Sequence, residues 1–419
     1  MNRVRSFAVA VSIAVGTAST AAVFIPAAAV QAAEQAKPKF SKAVAIPLQQ
    51  AQKDMQAKKW DEALAQLAKA RAVEKRTPAE DYQIDEFNGY ILVQQKKYAQ
   101  AAAVYERMIN SGQMPADQID DKTKIVSQMY FQEKDYKKAA ELAKKYLDKH
   151  PGSEDMGVLL GQAYYLLNDY KNCATVMSGV VNNIEKAGQT PKENYIQLVL
   201  SSYYKQDQNS PGVTDALKKM VRYYPKADYW ENLIDIYRRK QRNSDSVTLG
   251  YYRLMNEVGT LKDKGDYQEA AQLALEAGVP GEAETIMKKG MEGPLKSDDK
   301  AEQGRYDRLL ANANKQVATD KPSLAQQKKE ADKAAQGQPL VGLGQAYISY
   351  GMYDEGIAAI QAGLKKGGVT DADEAQLNIG IAYLRKGQKD QARLAFKAVK
   401  SDSKWADLAE LWTLRTYSA

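Results

Sequence analysis

The chain holds a single histidine, His150, and a single cysteine, Cys173, so the residue types that most often carry nucleophilic or metal chemistry are almost absent. His150 stands beside Pro151 in an expected turn, with no second histidine or cysteine at metal-ligand spacing and no serine–aspartate set around it. It reads as a solvated turn residue. Cys173 comes three residues after Tyr170, as Ala63, Ala101 and Ala139 come three after Trp60, Tyr98 and Tyr136. A small residue in a repeated slot packs against a neighbour and is not a nucleophile. Gly290-Met-Glu-Gly-Pro-Leu-Lys-Ser297 looks faintly like a phosphate loop, but it lacks the Gly-Lys-Ser junction and a preceding strand. No metal and no cofactor are expected. Glycoside hydrolysis needs only two carboxylates. Those of this chain lie mostly at alternating-charge positions such as Glu133-Lys134-Asp135 and Glu330-Ala331-Asp332-Lys333, the pattern of a solvated helix face. The reading is a protein without catalysis; an unrecognised carboxylate pair is the enzymatic alternative.

The same spacings say which elements must exist. Gly344 to Leu364 reads as a helix, a break at Gly351 and a second helix, with Gly344 and Gly356 leaving room where the two touch. Tyr347, Tyr353 and Ile360 fill the wedge around them, and Gly380, Tyr383, Gly387, Ala392 and Phe396 repeat the plan at matching offsets. Upstream, Trp60-Asp-Glu-Ala63, Tyr98-Ala-Gln-Ala101, Tyr136-Lys-Lys-Ala139 and Tyr170-Lys-Asn-Cys173 each open a second helix. Tyr136 and Tyr170 are 34 residues apart, and the two earlier intervals are each four longer. These residues resemble the tetratricopeptide repeat (TPR), a helix–turn–helix unit of about 34 residues. The resemblance implies an all-α, right-handed solenoid of TPR-like helical hairpins, a superhelical binding scaffold.

In each first helix the small residue and the residue three later face the partner helix; the residues one and four after it fall on another face. The positions one after are Gln52, Tyr90, Gln128, Gln162, Gln345 and Ile381; those four after are Met55, Val93, Phe131, Tyr165, Ile348 and Leu384. In TPR proteins the corresponding face lines the inner groove. The resemblance therefore implies partner contacts by Gln52, Tyr90, Gln128, Phe131, Gln162, Tyr165, Gln345 and Ile348. Amides beside apolar or aromatic side chains suit an extended peptide, whose backbone they can bond. The Lys, Arg and Asn with which TPR domains grip a terminal carboxylate do not stand at these positions. Phe131 and Tyr165 packing against the adjacent repeat is the competing reading. Tyrosine is abundant, 26 against 6 phenylalanines, with doublets at 164–165, 203–204, 223–224 and 251–252. Neighbours on a helix point about 100° apart, so some of these rings are expected to be partly exposed, which also suits stacking on sugars. A glycan-binding superhelix acting on cell-wall or exported polysaccharide is therefore the alternative to a protein or peptide partner.

Arg3 and Arg5, the apolar run from Phe7 to Val15 and the small-residue site Val30-Gln31-Ala32 form an export leader, expected to be removed after Ala32. The expected parts are a signal peptide (1–32), a linker (33–39), a solenoid (40–290), a charged stretch (291–337) and a C-terminal TPR pair with a capping helix (338–419). The charged stretch reads either as two solvated helices divided at Asp320-Lys-Pro322 or as a disordered linker. Losing Arg3 and Arg5 takes the formal net charge from +7 to +5, mild for this length, so nucleic acid is not an expected partner. A lone cysteine makes no internal disulfide, so the exported fold must be held by packing. The expectation is a periplasmic protein with no membrane span after leader removal, binding a protein or peptide in envelope assembly.

Overall fold

The computed structural model describes residues 40–240 and 244–418, and every element among them is a helix, twenty in all. The expected leader and linker, 1–39, lie outside the described residues. No helix among the described residues is long and apolar enough to cross a membrane. The chain divides into two compact units at residues 213/214.

The first unit is a run of hairpins: α1 (Lys42–Gln56) with α2 (Trp60–Arg71), α3 (Pro78–Gln94) with α4 (Tyr98–Asn110), α5 (Ala116–Gln132) with α6 (Tyr136–Lys149), and α7 (Glu154–Leu166) with α8 (Tyr170–Lys186), followed by α9 (Glu193–Gln206). The aromatics used to count repeats are the first residues of the second helices. Each tight turn before them is built alike. Lys58, Lys96, Lys134 and Asn168 take positive φ, near +60°, and the next N–H donates to the carbonyl five residues back, at 2.8–2.9 Å. This is a Schellman closure of the preceding helix. The small residues lie where the helices meet. A Cβ on Gly89 would come within 2.7 Å of the Tyr105 ring and one on Gly161 within 2.5 Å of Met177, while Ser127 Oγ donates to the buried Ala139 carbonyl at 2.8 Å. Ala63, Ala101, Ala139 and Cys173 are all fully buried.

Thr77 caps α3, its Oγ1 accepting from Glu80 N (3.2 Å), and Glu80 accepts in return from Thr77 N (2.8 Å) and from Ser41 N (2.7 Å) at the head of α1. One carboxylate thus ties two helix starts together. Those backbone donors hold it well below the ordinary 4.5, at about 2. Because the folded value lies below the unfolded one, Glu80's contribution is complete above about pH 4.5 and is lost as pH falls towards 2. Acid titration of helicity should therefore be shallower for Glu80→Gln than for the parent between those values; identical titrations would refute this.

The second unit holds α10 (Pro211–Tyr223) from Thr214 on, α11 (Ala227–Arg239), α12 (Asp245–Glu257), α13 (Lys264–Glu276), α14 (Pro280–Met291), α15 (Lys300–Lys333), α16 (Gln338–Ser349), α17 (Tyr353–Lys366), α18 (Ala372–Arg385), α19 (Lys389–Lys397) and α20 (Ala406–Ser418). Helix α12 stops at Glu257, Gly259 turns with φ +74° and Lys264 begins α13. Two expectations change here. The charged stretch is neither two helices nor a linker. It is one 34-residue helix that runs through Pro322 and buries Tyr306, Ala313, Leu324 and Ala331 against α14 and α16. A proline removes one backbone donor, and the packed face outweighs that loss. Tyr251 and Tyr252 are both buried, although neighbours point apart, because α12 is covered on two sides. Tyr252 Oη donates to Glu269 on α13 (2.8 Å), while Leu408 of α20 and Trp405 just before it lie against Gly250.

The last helix covers apolar surface and returns to the start of its own unit. Tyr237 donates to Glu410 (2.6 Å), Lys218 pairs with Glu410 (2.7 Å), and Arg415 reaches Glu257 (3.2 Å). Helix α20 also touches α18 and α19, so the second unit closes on itself.

Candidate binding surfaces

The side chains with chemical potential are spent on structure. Cys173 is fully buried, accepts a hydrogen bond from Ser202 Oγ at 3.0 Å, and has its thiol pushed up to about 11 by burial. His150 bonds Asp120 (2.8 Å) and lies on the Tyr146 ring. The 290–297 stretch ends α14 and inserts the fully buried Leu295 against Gly290 and Tyr267. Glu133, Asp135, Glu330 and Asp332 are solvent-exposed. Among the described residues no group of three or more His, Cys, Asp or Glu could hold a metal ion.

The residues expected to face a partner fall into two sets. Gln52, Tyr90, Gln128, Phe131, Gln162 and Tyr165 belong to the first unit; Gln345 and Ile348 belong to the second. In the first unit, α1 touches α3, α5 touches α7 and α7 touches α9, so first helices stand side by side. Gln52 and Gln128 are exposed, Gln162 is half-buried, and no hydrogen bond from the protein engages any of the three. The aromatics are committed to packing. Tyr90 meets Trp60 edge-on (6.2 Å), Phe131 meets Tyr136 (5.3 Å) and Tyr165 meets Tyr170 (5.2 Å). Tyr165 Oη also bonds Ser201 Oγ on α9 at 2.7 Å.

In the second unit Gln345 and Ile348 border a cavity of about 490 Å3 walled by α12, α14, α16 and α18, with part of α15 and the start of α17. Inside it Arg253 donates through Nε and one terminal nitrogen to both oxygens of Glu282, at 2.8–3.0 Å. Burial works against charge on both groups, and the pairing overrides it: the Glu282 carboxyl is held below its usual range and the Arg253 guanidinium above. Burial also pushes the Glu374 carboxyl up, and Gln345 Nε2 donates to it at 3.3 Å. Asn378 is 6% exposed, and its Nδ2 makes no hydrogen bond to the protein.

Residues 48–116 and 341–406, one stretch in each unit, match the tetratricopeptide repeat family. Those two stretches carry tetratricopeptide repeats. A search of curated proteins found no match. Similar solved structures include residues 41-end of MamA from Desulfovibrio magneticus RS-1, 16% identical over 49% of this chain and 100% of that one, with a TM-score of 0.28. A tetratricopeptide repeat protein from Parabacteroides merdae ATCC 43184 is 12% identical, over 90% of this chain and 100% of its own, at a TM-score of 0.27. The TPR2AB domain of yeast Sti1 in a complex with pHSP90 is 11% identical, over 73% and 100%, at 0.24.

The repeat register explains what the sequence stripe found and what it missed. It located Gln345, Ile348 and Ile381 beside the cavity, because α16 and α18 keep the register of a matched repeat. It passed over Arg253, Glu282 and Arg385. Arg253 and Glu282 sit on helices outside the matched stretches, and Arg385 ends its helix one residue beyond the stripe. Asn378 stands two residues before Gly380, off the positions read as partner-facing. The arginines and asparagine absent from the stripe therefore stand around one cavity of the second unit.

Proposed function

We propose that this is a non-catalytic, periplasmic tetratricopeptide-repeat scaffold whose first unit binds a protein partner through an extended segment, in envelope assembly. One observation carries it. Gln52, Gln128 and Gln162 present unengaged amides on three first helices of the first unit, with Tyr90, Phe131 and Tyr165 held rigid beside them. Amides that no internal bond uses are suited to the N–H and C=O groups of an extended backbone, and rings already fixed by packing lose little entropy on contact. Export rests on the leader read at residues 1–32. The glycan alternative needs exposed rings, and the only tyrosine exposed on the scale of a stacking platform among the described residues is Tyr417.

The test is capture from envelope extract by the chain from residue 33, beside the triple variant Gln52→Ala, Gln128→Ala, Gln162→Ala, which leaves the packed rings in place. A retained protein should bind the variant at least about tenfold more weakly, three amide bonds of about 0.5–1.5 kcal/mol each being lost. Equal retention by both would remove the function from this face. Retention of a soluble glycan and no protein would establish the alternative.

A further inference from the structure

The cavity bordered by Gln345 and Ile348 has a largely polar wall in which each charge is already matched. We propose that it binds a neutral mono- or disaccharide, taken free from solution. This goes beyond the peptide reading and is independent of it, since it uses other residues on another unit.

Charge argues against an ion. Arg253 is paired with Glu282, and Glu284 takes Lys288 Nζ at 2.8 Å. Arg385 Nε lies 3.9 Å from Glu257, which Arg415 also bonds. Lys321 sits over the Tyr350 ring at 5.6 Å, and that tyrosine donates to the neighbouring Asp320. Glu374, the partner of Gln345, adds its field at Arg253. A ligand ion would enter such a wall without a counter-charge of its own, and an unmatched charge out of water is costly. The occupant is therefore neutral.

The unspent hydrogen-bonding capacity is of both kinds. Gln345 Oε1 is an acceptor to which no protein group donates. Asn256 Nδ2 is a donor without a protein acceptor, since Lys289 engages only the Oδ1 of that amide (2.6 Å). The Tyr353 hydroxyl makes no hydrogen bond to the protein and can act either way. Thr285 and Ser349 spend their hydroxyl protons on the Gly281 and Ala346 carbonyls, at 2.8 and 2.7 Å, and keep their lone pairs. A hydroxyl group donates one hydrogen bond and accepts two, so a molecule dense in hydroxyls answers intermixed donors and acceptors. A group that only donates or only accepts answers half of them. Ile348 and Ile381, both buried, and the half-buried Tyr350 and Tyr353 rings supply apolar surface for the C–H face of a sugar ring. About 490 Å3 is the volume of a small-molecule pocket. Because α20 closes the unit through α12 and α18, the cavity suits a small free sugar more than a polysaccharide strand.

Calorimetric titration of the whole chain with glucose, galactose, mannose, N-acetylglucosamine, maltose and cellobiose tests this. At least one should bind saturably in the millimolar range or tighter. The charged counterparts of its ring, the 2-amino sugar and the uronate, should bind at least about tenfold more weakly. Tyr353→Phe removes one hydroxyl and keeps the packed ring, and should weaken binding about threefold to tenfold. Gln345→Leu should weaken it about tenfold, the loss of one or two hydrogen bonds. Glu133→Gln on the first unit should leave it unchanged, and circular dichroism confirms that each variant folds. The proposal is overturned if none of the six sugars binds, if a charged counterpart binds as tightly, or if both Tyr353→Phe and Gln345→Leu leave the affinity unchanged. Maltohexaose and cellohexaose separate the sources. If a hexasaccharide binds and no mono- or disaccharide does, the cavity holds part of a polymer and the free-sugar assignment falls. Capture of a protein by the first unit is untouched by any of these results.

Discussion

Glu282→Ala should lower the stability of the second unit by about 3–5 kcal/mol, the usual cost of leaving one member of a buried pair alone. The Arg253 and Glu282 side chains are 11% and 15% exposed and share three hydrogen bonds, so neither charge has much water to turn to. Removing the carboxylate strands the guanidinium beside Arg385, which lies close enough to act on Glu282 as well. Replacing both partners, as in Arg253→Met with Glu282→Leu, removes the unpaired charge and should restore most of the loss. Urea unfolding followed by tryptophan fluorescence reads this unit well. Trp230, Trp405 and Trp412, three of the chain's four tryptophans, are buried within it. A cost below about 1 kcal/mol for Glu282→Ala would mean that water reaches Arg253 freely and that the cavity is wetter than its geometry implies.

Gly344→Ala should destabilise the same unit by about 2 kcal/mol, while Gly342→Ala two residues earlier should stabilise it. A Cβ at 344 would lie 2.7 Å from the Gly356 carbonyl oxygen, and one at 356 would lie 2.9 Å from the Gly344 carbonyl oxygen. The opposing atoms belong to two backbones, so relief requires α16 and α17 to move apart, and such overpacking costs about 1–3 kcal/mol or more. Helix propensity returns no more than about 1 kcal/mol. At Gly342 nothing lies within 4 Å and the position is exposed, so only the propensity gain remains. Opposite signs on one helix, measured in the same urea experiment, isolate backbone approach from glycine content. Two changes of the same sign would refute the close-contact account.

These residues also show how far the sequence could be read. The hairpins were legible because each opening aromatic and each small residue acts on a neighbour within about 34 positions, the distance over which a repeat shows itself. The lysines and asparagine at positive φ left no such mark. Sequence reading looks for glycine there, and Gly351 and Gly387 fill the equivalent turns of the second unit, whereas Lys58, Lys96, Lys134 and Asn168 accept the left-handed conformation at a modest cost. The run of α15 through Pro322 was hidden for a different reason. Its four buried residues are spread over 34 positions in a polar composition, so the stripe is too sparse to see without the helices it packs on. The partner-facing positions were legible by register, but not their company: Gln345 shares its cavity with Arg253, 92 positions earlier, and no local pattern joins the two.

The return of α20 to α11 and α12 has a consequence for how the molecule comes into being. Each hairpin of the first unit can close as soon as its own residues have left the ribosome. The second unit cannot be finished that way, because Tyr237 waits for Glu410, 173 residues later, and Gly250 waits for Leu408. Until the last turns arrive, the α12 surface bearing Tyr251 and Gly250 stands open to other chains. Pairings of such high sequence separation fold slowly and expose sticky intermediates. The second unit is thus the part with most need of a chaperone during biogenesis, and the part whose failure to close would mark a damaged chain.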